Sequence, residues 1–295
     1  MQPHILMTDP AHFDVRYAIN PWMRPGDWAD DDKAAAMGGW RELRGALEAA
    51  GARVTVIDGD VAWPDMVFAA NAAVVFDRKC VLARFKHAER QGEESRFRRA
   101  FDALAGKGEI DTVVSLPPGL IQEGAGDFIW DASRQLFWAG FGPRSDKAAA
   151  RWVGEALDAP MIALELATAN FYHLDTCFCP LAGGEVLYYP PAFTPAALAK
   201  IRERVGAESL IEADPAGAAA FCVNAVNLGR KVIMAKSPPP LRSQLEARGY
   251  QVVEVDLATF ILSGGAAFCL TLRLDNAPAP AAATQLHTLP RRVLA

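Results

Sequence analysis

Five chemically distinctive residues recur in this 295-residue chain, at intervals of about fifty residues. They are Asn71, Glu123, His173, Asn224 and Cys269. Each lies in a loop after a helix-like segment and a short β-rich run. A period of this length is typical of propeller-like arrays, and if five units close around an axis, their equivalent loops converge. An open sheet of five helix–strand units would leave these residues scattered, and periodicity alone does not decide between the two.

Apolar residues at helical spacing, with start and stop residues, predict five helices. They are expected at residues 32–50, at residues 91–104, after Ser145, after Thr194 up to Gly206, and from Ser237 to Gly249. Ser145 and Thr194 are the predicted N-caps, because their side-chain oxygens can accept hydrogen bonds from free helix amides. The β-rich run after each helix is predicted at residues 53–57, 111–116, 161–166, 210–212 and 251–255. A second strand in each unit is predicted at residues 73–76, 135–139, 185–189, 231–235 and 268–274.

Composition narrows the class of protein. The net charge of -5 argues against nucleic acid, which requires a basic face, and no apolar run is long enough for a membrane helix. Five cysteines, an odd number, fit reduced thiols in a cytoplasm better than a disulfide framework. Without zinc-ligand spacing among them, we expect no metal or other cofactor. Residues 1–275 read as one catalytic domain, and residues 276–295 as an Ala/Pro-rich tail.

Cys269 and His173 are the candidates for chemistry. A lone Cys in an apolar stretch is usually a core residue, but two glycines precede Cys269, and a nearby His or bound cation can make its thiolate a nucleophile. In the segment YHLDT, strand alternation would place His173 and Asp175 on one face. An aspartate beside a histidine fixes its tautomer, although a structural, hydrogen-bonded His has the same pattern.

Glu123 and Asp127 flank small residues in the segment EGAGD. Two carboxylates in an apolar setting suit a planar cation such as guanidinium, which presents several donors in one plane. A polar turn between two strands would have the same sequence, so the pair gains weight only together with Cys269 and His173.

Four motifs in order, PDMVFAAN at residues 64–71, EGAGD at 123–127, HLDT at 173–176 and GGAAFC at 264–269, resemble the guanidino-group-modifying enzymes. The resemblance covers residues 4–275 and implies the five-bladed pseudo-symmetric α/β propeller, or pentein fold. It further implies Cys269 as nucleophile, His173 as general acid/base and Glu123 as its partner. The substrate-binding residues that it implies are Phe68, Asn71, Asp127, Asp175, and Arg90 and Arg144 for the substrate carboxylate, with Arg84 competing with Arg90.

Asn71 and the segment at residues 13–23, FDVRYAINPWM, resemble the arginine dihydrolase domain, in which the residues matching Asn20 and Asn71 belong to the active site. The resemblance therefore implies a hydrolase that converts arginine to ornithine, ammonia and carbon dioxide through a covalent thiouronium. Dimethylargininase, citrulline ureidase, arginine deiminase and amidinotransferase use the same machinery and remain alternatives. A non-catalytic ribosome-associated binding protein shares the fold, but it would lack the thiol, His and Glu. The expected partner is a small guanidino or ureido substrate, and a homo-oligomer is compatible with the sequence.

Overall fold

The structure is a computed structural model that describes residues 2–279. Within them, fifteen strands form five three-stranded sheets. The strands, in chain order, are β1 (His4–Thr8), β2 (Arg53–Ile57), β3 (Ala73–Phe76), β4 (Lys79–Leu82), β5 (Thr112–Ser115), β6 (Phe128–Asp131), β7 (Leu136–Phe141), β8 (Met161–Glu165), β9 (Phe178–Pro180), β10 (Val186–Tyr188), β11 (Leu210–Glu212), β12 (Val226–Leu228), β13 (Lys231–Ala235), β14 (Gln251–Val255) and β15 (Leu272–Arg273).

Five longer helices cover the sheets. They are α1 (Asp30–Ala49), α2 (Glu93–Gly106), α3 (Lys147–Leu157), α4 (Pro195–Val205) and α5 (Pro239–Ala247). Shorter helices span Ala88–Gln91, Pro215–Ala219 and Ala258–Ile261. Each longer helix is the crossover between the middle and outer strands of one sheet, which are parallel, as such a connection requires.

The ring closes because the last strand pairs with the first. β15 lies antiparallel to β1, with Ile5 opposite Arg273 and Leu6 opposite Leu272. The backbone N–H of Leu274 also donates to the carbonyl of His4 at 2.9 Å. Five apolar clusters lie between neighbouring blades, as where Phe97 and Phe101 of α2 cluster with β4 and with Leu6 of β1. The closed five-bladed α/β propeller is thus confirmed over the open sheet.

Several local predictions were wrong. Each blade has three strands and not two, because short strands such as β6, β9 and β12 were missed. Of the predicted second strands, 73–76 and 268–274 match innermost strands, whereas the other three match middle strands. Residues 268–271 form the turn that carries Cys269, so β15 holds only two residues.

Two further predictions, the Ser145 cap and the strand at His173, differ from the structure. The other predicted cap is present: Thr194 caps α4, accepting from the N–H of Ala197 at 3.3 Å. Ser145 does not cap α3, which begins one residue later at an Asp146 cap position. The residues after His173 form a 3-10 helix, Leu174–Thr176, and not a strand, so alternation does not relate His173 to Asp175.

No helix within residues 2–279 is long and apolar enough to cross a membrane. The predicted tail begins at residue 276, and residues 276–279 form no helix or strand. The rest of that tail, residues 280–295, lies outside the described residues.

Candidate active site

The five recurring residues lie in equivalent loops that contact one another. Each lies in the loop that leads directly into the innermost strand of its blade. All five side chains are buried, with at most 2% of their surface exposed. Hydrogen bonds connect the loops pairwise, from Asn71 to Glu123, from Glu123 to His173, and from Asn224 to Cys269. The repeat therefore brings buried polar side chains from all five blades together.

The Cys269 thiol lies between an acid and an amide. Its S–H donates to Asp175 Oδ2 at 3.1 Å, and Asn224 Nδ2 donates to the Cys269 sulfur at 3.1 Å. Burial, and then the neighbouring Asp175 carboxylate, raise the pKa of Cys269 well above its ordinary value. The thiol is therefore the favoured form until a positive charge approaches.

Asn224 holds the nucleophile loop in place. Its Oδ1 accepts hydrogen bonds from the backbone N–H groups of Ala266 and Cys269, both at 3.1 Å. With the oxygen so occupied, Nδ2 is oriented towards the Cys269 sulfur and the Asp175 carbonyl, at 3.1 and 3.0 Å. Asn224 belongs to the fifty-residue period, but no role could be assigned to it from the sequence, because its contact with Cys269 spans 45 residues.

Asp175 has unused hydrogen-bonding capacity. Its Oδ2 accepts from Cys269, whereas its buried Oδ1 has no hydrogen-bond partner within residues 2–279. Burial raises the pKa of Asp175 to about 7. A buried acceptor without a partner is costly, and a planar cation with several N–H groups would satisfy the oxygen and favour the ionised carboxylate.

The His173 side of the site is fully connected. His173 Nε2 lies 2.8 Å from Glu123 Oε2, and Arg144 Nη1 donates to the same oxygen at 2.9 Å. The other oxygen of Glu123 accepts from the backbone N–H of Lys86 at 3.0 Å. Burial alone would raise the pKa of Glu123, but Arg144 and His173 outweigh it and lower that pKa well below its usual range. Because Glu123 is ionised, His173 Nε2 carries a hydrogen and Nδ1 is left for chemistry.

Asp127 supports the His173 loop. Its Oδ1 accepts from the backbone N–H of Leu174 at 2.9 Å, and its Oδ2 accepts from the Ser145 hydroxyl at 2.6 Å. Oδ2 lies 4.0 Å from His173 Nε2. Burial raises the pKa of Asp127 to about 6. Ser145, which the sequence predicted as a helix cap, thus connects two site loops, since it also accepts from the backbone N–H of Glu123 at 3.1 Å.

Asn71 lies beside Glu123 and is fixed at both ends of its amide. Nδ2 donates to the Glu123 carbonyl at 3.0 Å, and Oδ1 accepts from Arg90 Nη1 at 2.9 Å. A Cβ atom at Gly126 would lie 2.4 Å from Asn71 Nδ2 and 3.5 Å from His173 Nδ1. Glycine at 126 therefore makes room for the amide and the imidazole to approach each other.

The two candidate arginines differ in their surroundings. Arg90 is paired with Glu93 by two hydrogen bonds of 2.8 Å. Arg144 binds Glu123 and the Ile19 carbonyl and stacks on the Tyr172 ring, 4.7 Å from its centroid. Arg84, the competing candidate, is directed to backbone carbonyls between residues 116 and 120.

Asn20 and Phe68 border the nucleophile loop. Asn20 Nδ2 donates to the Ser263 carbonyl at 3.1 Å, and its Oδ1 accepts from the N–H of Trp22 at 2.9 Å. Phe68 packs so closely that a Cβ atom at Gly265 would lie 2.4 Å from its ring. The side chains of both residues therefore lie against the backbone of the nucleophile loop.

A further buried carboxylate, Asp65, was not assigned from the sequence. It accepts from the hydroxyls of Tyr17 at 3.0 Å and Ser263 at 3.2 Å. Its place in the PDMVFAAN motif was the available signal. Within residues 2–279, no group of three His, Cys, Asp or Glu side chains is arranged to hold a metal ion. The site therefore offers nucleophilic and acid–base groups.

Comparison with known proteins agrees with this geometry. Residues 9–275 match the family described as N,N dimethylarginine dimethylhydrolase, eukaryotic. The chain belongs to this family of guanidino-group hydrolases. It is 35% identical to an N(G),N(G)-dimethylarginine dimethylaminohydrolase of Mycobacterium tuberculosis, over 91% of this chain and 84% of that protein.

The chain is also similar to a bifunctional arginine dihydrolase/ornithine cyclodeaminase, ArgZ, of Synechocystis sp.. Identity is 41% over 92% of this chain, which spans only 38% of that protein's length. A crystal structure of the N-terminal domain of ArgZ, described as an arginine dihydrolase bound to product, superposes with a TM-score of 0.90 at 40% identity. It covers 95% of this chain and 100% of that domain.

Proposed function

We propose that this family member is an arginine dihydrolase, which converts arginine and two waters to ornithine, two ammonia and carbon dioxide. One observation carries the proposal: the buried Asp175 carboxylate binds the Cys269 thiol with one oxygen and, within residues 2–279, has no hydrogen-bond partner for the other. A guanidinium fits that position, because it supplies both the missing N–H donor and the positive charge that promotes a thiolate. The similarity to the arginine dihydrolase domain supports the same substrate.

The first step is nucleophilic attack. As the guanidinium binds Asp175, the Cys269 proton passes to His173 Nδ1 and the sulfur attacks the guanidinium carbon. His173, oriented by Glu123 at 2.8 Å, protonates the departing nitrogen through Nδ1. Ammonia leaves, and a covalent thiouronium remains on Cys269.

The second step is hydrolysis. His173, now deprotonated at Nδ1, takes a proton from water, and the hydroxide attacks the thiouronium carbon. The carbon–sulfur bond breaks, which restores Cys269 and forms a ureido product. A second cycle on that product releases another ammonia, carbon dioxide and ornithine.

Asn71 distinguishes the dihydrolase from a deiminase. Its amide donates one N–H to the Glu123 carbonyl, and the second N–H of that group can donate to a ureido oxygen. A carboxylate at this position would repel the oxygen. The neutral amide therefore supports binding of the ureido compound for the second cycle.

The test is a product assay with purified protein and arginine. Ornithine should form with two ammonia per arginine, and citrulline should not accumulate. Stoichiometric citrulline without ornithine would show a deiminase. Asn71→Asp should shift the product towards citrulline, whereas the control Asn227→Asp, in β12, should not. An unchanged product from Asn71→Asp would contradict the role given to Asn71.

Dimethylarginine hydrolysis is a second candidate, because both the matching family and the Mycobacterium tuberculosis relative are described by that activity. Release of dimethylamine from asymmetric dimethylarginine, at a kcat/KM above that for arginine, would favour it.

A further inference from the structure

We propose that the buried Arg90–Glu93 pair is a positioning device that presents the N–H end of the Asn71 amide to the substrate. It thereby controls whether the ureido intermediate is hydrolysed. The inference rests on the proposed function and concerns Arg90, which contacts Asn71, and Glu93, which binds Arg90. Arg90 is 3% exposed and Glu93 is fully buried.

The guanidinium of Arg90 fixes which end of the amide faces which way. Arg90 has only donors, so the group of Asn71 that faces Nη1 at 2.9 Å must be the oxygen. The other end then lies 3.0 Å from the Glu123 carbonyl, an acceptor that requires an N–H. A flipped amide would set donor against donor at Arg90 and acceptor against acceptor at Glu123. Only one orientation satisfies both contacts.

Glu93 fixes Arg90 in turn. Its two oxygens accept from Arg90 Nε and Nη2, each at 2.8 Å, in the bidentate geometry that aligns a guanidinium. Burial would lower the pKa of Arg90, but Glu93 outweighs it and raises that pKa, so Arg90 stays charged. Glu93 is the first residue of α2, so the pair is anchored to a helix. The Phe85 ring packs against Arg90, 4.4 Å from its guanidinium carbon.

The contacts of Arg90 separate its role from that of Arg144. A guanidinium has five N–H donors. Arg90 uses four of them within the described residues, on Glu93 twice, on Asn71 and on the Asp65 carbonyl at 3.1 Å. Arg144 uses two, on Glu123 and Ile19. Four of the five Arg90 donors are thus held within the protein, and one of them binds Asn71.

The experiment measures the ratio of citrulline to ornithine released from arginine. Wild-type protein is assayed first, and failure to form ornithine would overturn the proposed function before any variant is compared. In Arg90→Gln the new side chain can offer either an oxygen or an N–H, so the Asn71 amide is free to flip. The ratio should rise at least about fivefold, as expected for losing one oriented hydrogen bond. Glu93→Gln should raise it in the same direction.

Two further variants keep the inference falsifiable if Arg90→Gln folds poorly. Gly126→Ala places a methyl group against Asn71 Nδ2 from the opposite side, and it should raise the ratio without touching Arg90. The matched control is Arg134→Gln, which breaks a comparable pair with the buried Asp131 in another blade. It should leave the ratio unchanged.

A purely structural role would slow both cycles equally and leave the ratio at its wild-type value, which would overturn the inference. Loss of a carboxylate contact would raise KM for arginine and citrulline and also release citrulline faster, so kcat is measured at saturating citrulline as well. In Arg90→Gln it should fall more than kcat for arginine consumption, and an equal fall of the two would overturn the inference. In an Asn71→Ser background, Arg90→Gln should add nothing to the ratio, because the amide on which it acts is gone.

Discussion

The two halves of the site treat their carboxylates differently. On the His173 side, Glu123 has partners on both oxygens and its pKa is lowered, mainly by Arg144. On the thiol side, one oxygen of Asp175 has no hydrogen-bond partner in the part of the chain that the structure describes, and burial raises the pKa of this carboxyl. The acid–base half is therefore complete before substrate arrives, whereas the nucleophile half requires a cation to complete it.

The largest effect that this comparison predicts is at the nucleophile. Cys269→Ala should lower turnover by at least roughly four orders of magnitude, because the covalent route is lost, while the far-ultraviolet circular dichroism stays native. Cys80→Ala is the matched control, since Cys80 is equally buried but lies in the core of another blade. Comparable turnover by the two variants would remove Cys269 from the mechanism.

A smaller effect, on the stability of the protein, is expected when the Glu123–Arg144 pair on the His173 side is broken. Glu123→Gln leaves the buried charge of Arg144 without its ionic partner, so the free energy of unfolding should fall by about 3 kcal/mol. Urea denaturation followed by tryptophan fluorescence measures it. Asp111→Asn, which breaks an exposed pair with Arg78, should leave the midpoint nearly unchanged. Equal midpoints for both variants would mean that Glu123 and Arg144 are not a stabilising pair.

The smallest expected effect is on stability at Asp175, where the substitution should stabilise the protein as the pH rises. The pKa of Asp175 is raised to about 7, so its protonation stabilises the folded state at low pH. That contribution is lost as the pH rises from about 4 to 7. Asp175→Asn cannot ionise, so its stability relative to wild type should increase between pH 5 and pH 8, by about 2.5 kcal/mol.

Denaturation curves at the two pH values decide this prediction. The exposed Asp102→Asn in α2 is the control, and its stability relative to wild type should not change with pH. A variant at Asp175 that loses stability at pH 8 would show that the wild-type carboxylate is already satisfied, and the contrast between the two halves would disappear.

Much of the fold followed from local pattern. The fifty-residue period and the apolar stripes predicted five repeating units and their helices, because each helix must bury one face; closure into a ring was implied by the family resemblance. The strands β6, β9 and β12 were missed because three or four residues carry too little alternation to stand out from a loop. Ser145 was predicted as a helix cap because a serine hydroxyl can accept from a free helix amide. In the structure this hydroxyl donates to Asp127 instead.

The site, like the fold, could be predicted from the sequence only in part. The residue types and their order pointed to Cys269, His173 and Glu123, and the structure brings all three into one centre. Their roles, and those of the substrate-binding residues, stay predictions. The contacts that differentiate Arg90 from Arg144 could not be read from the sequence. They depend on which neighbour each guanidinium contacts after folding. The contact between Asp175 and Cys269 was likewise not predictable, because it spans 94 residues of chain.

The pairing of β15 with β1 has a consequence for how the protein is made. During synthesis, β1 emerges long before β15, its antiparallel partner, which comes only after residue 271. Until then the inner edge of β1 is an open template for pairing with other chains. Cys269 lies just before the closing strand, so a nascent chain gains its nucleophile and seals that edge at nearly the same moment. Ring closure and the arrival of the nucleophile are therefore coupled.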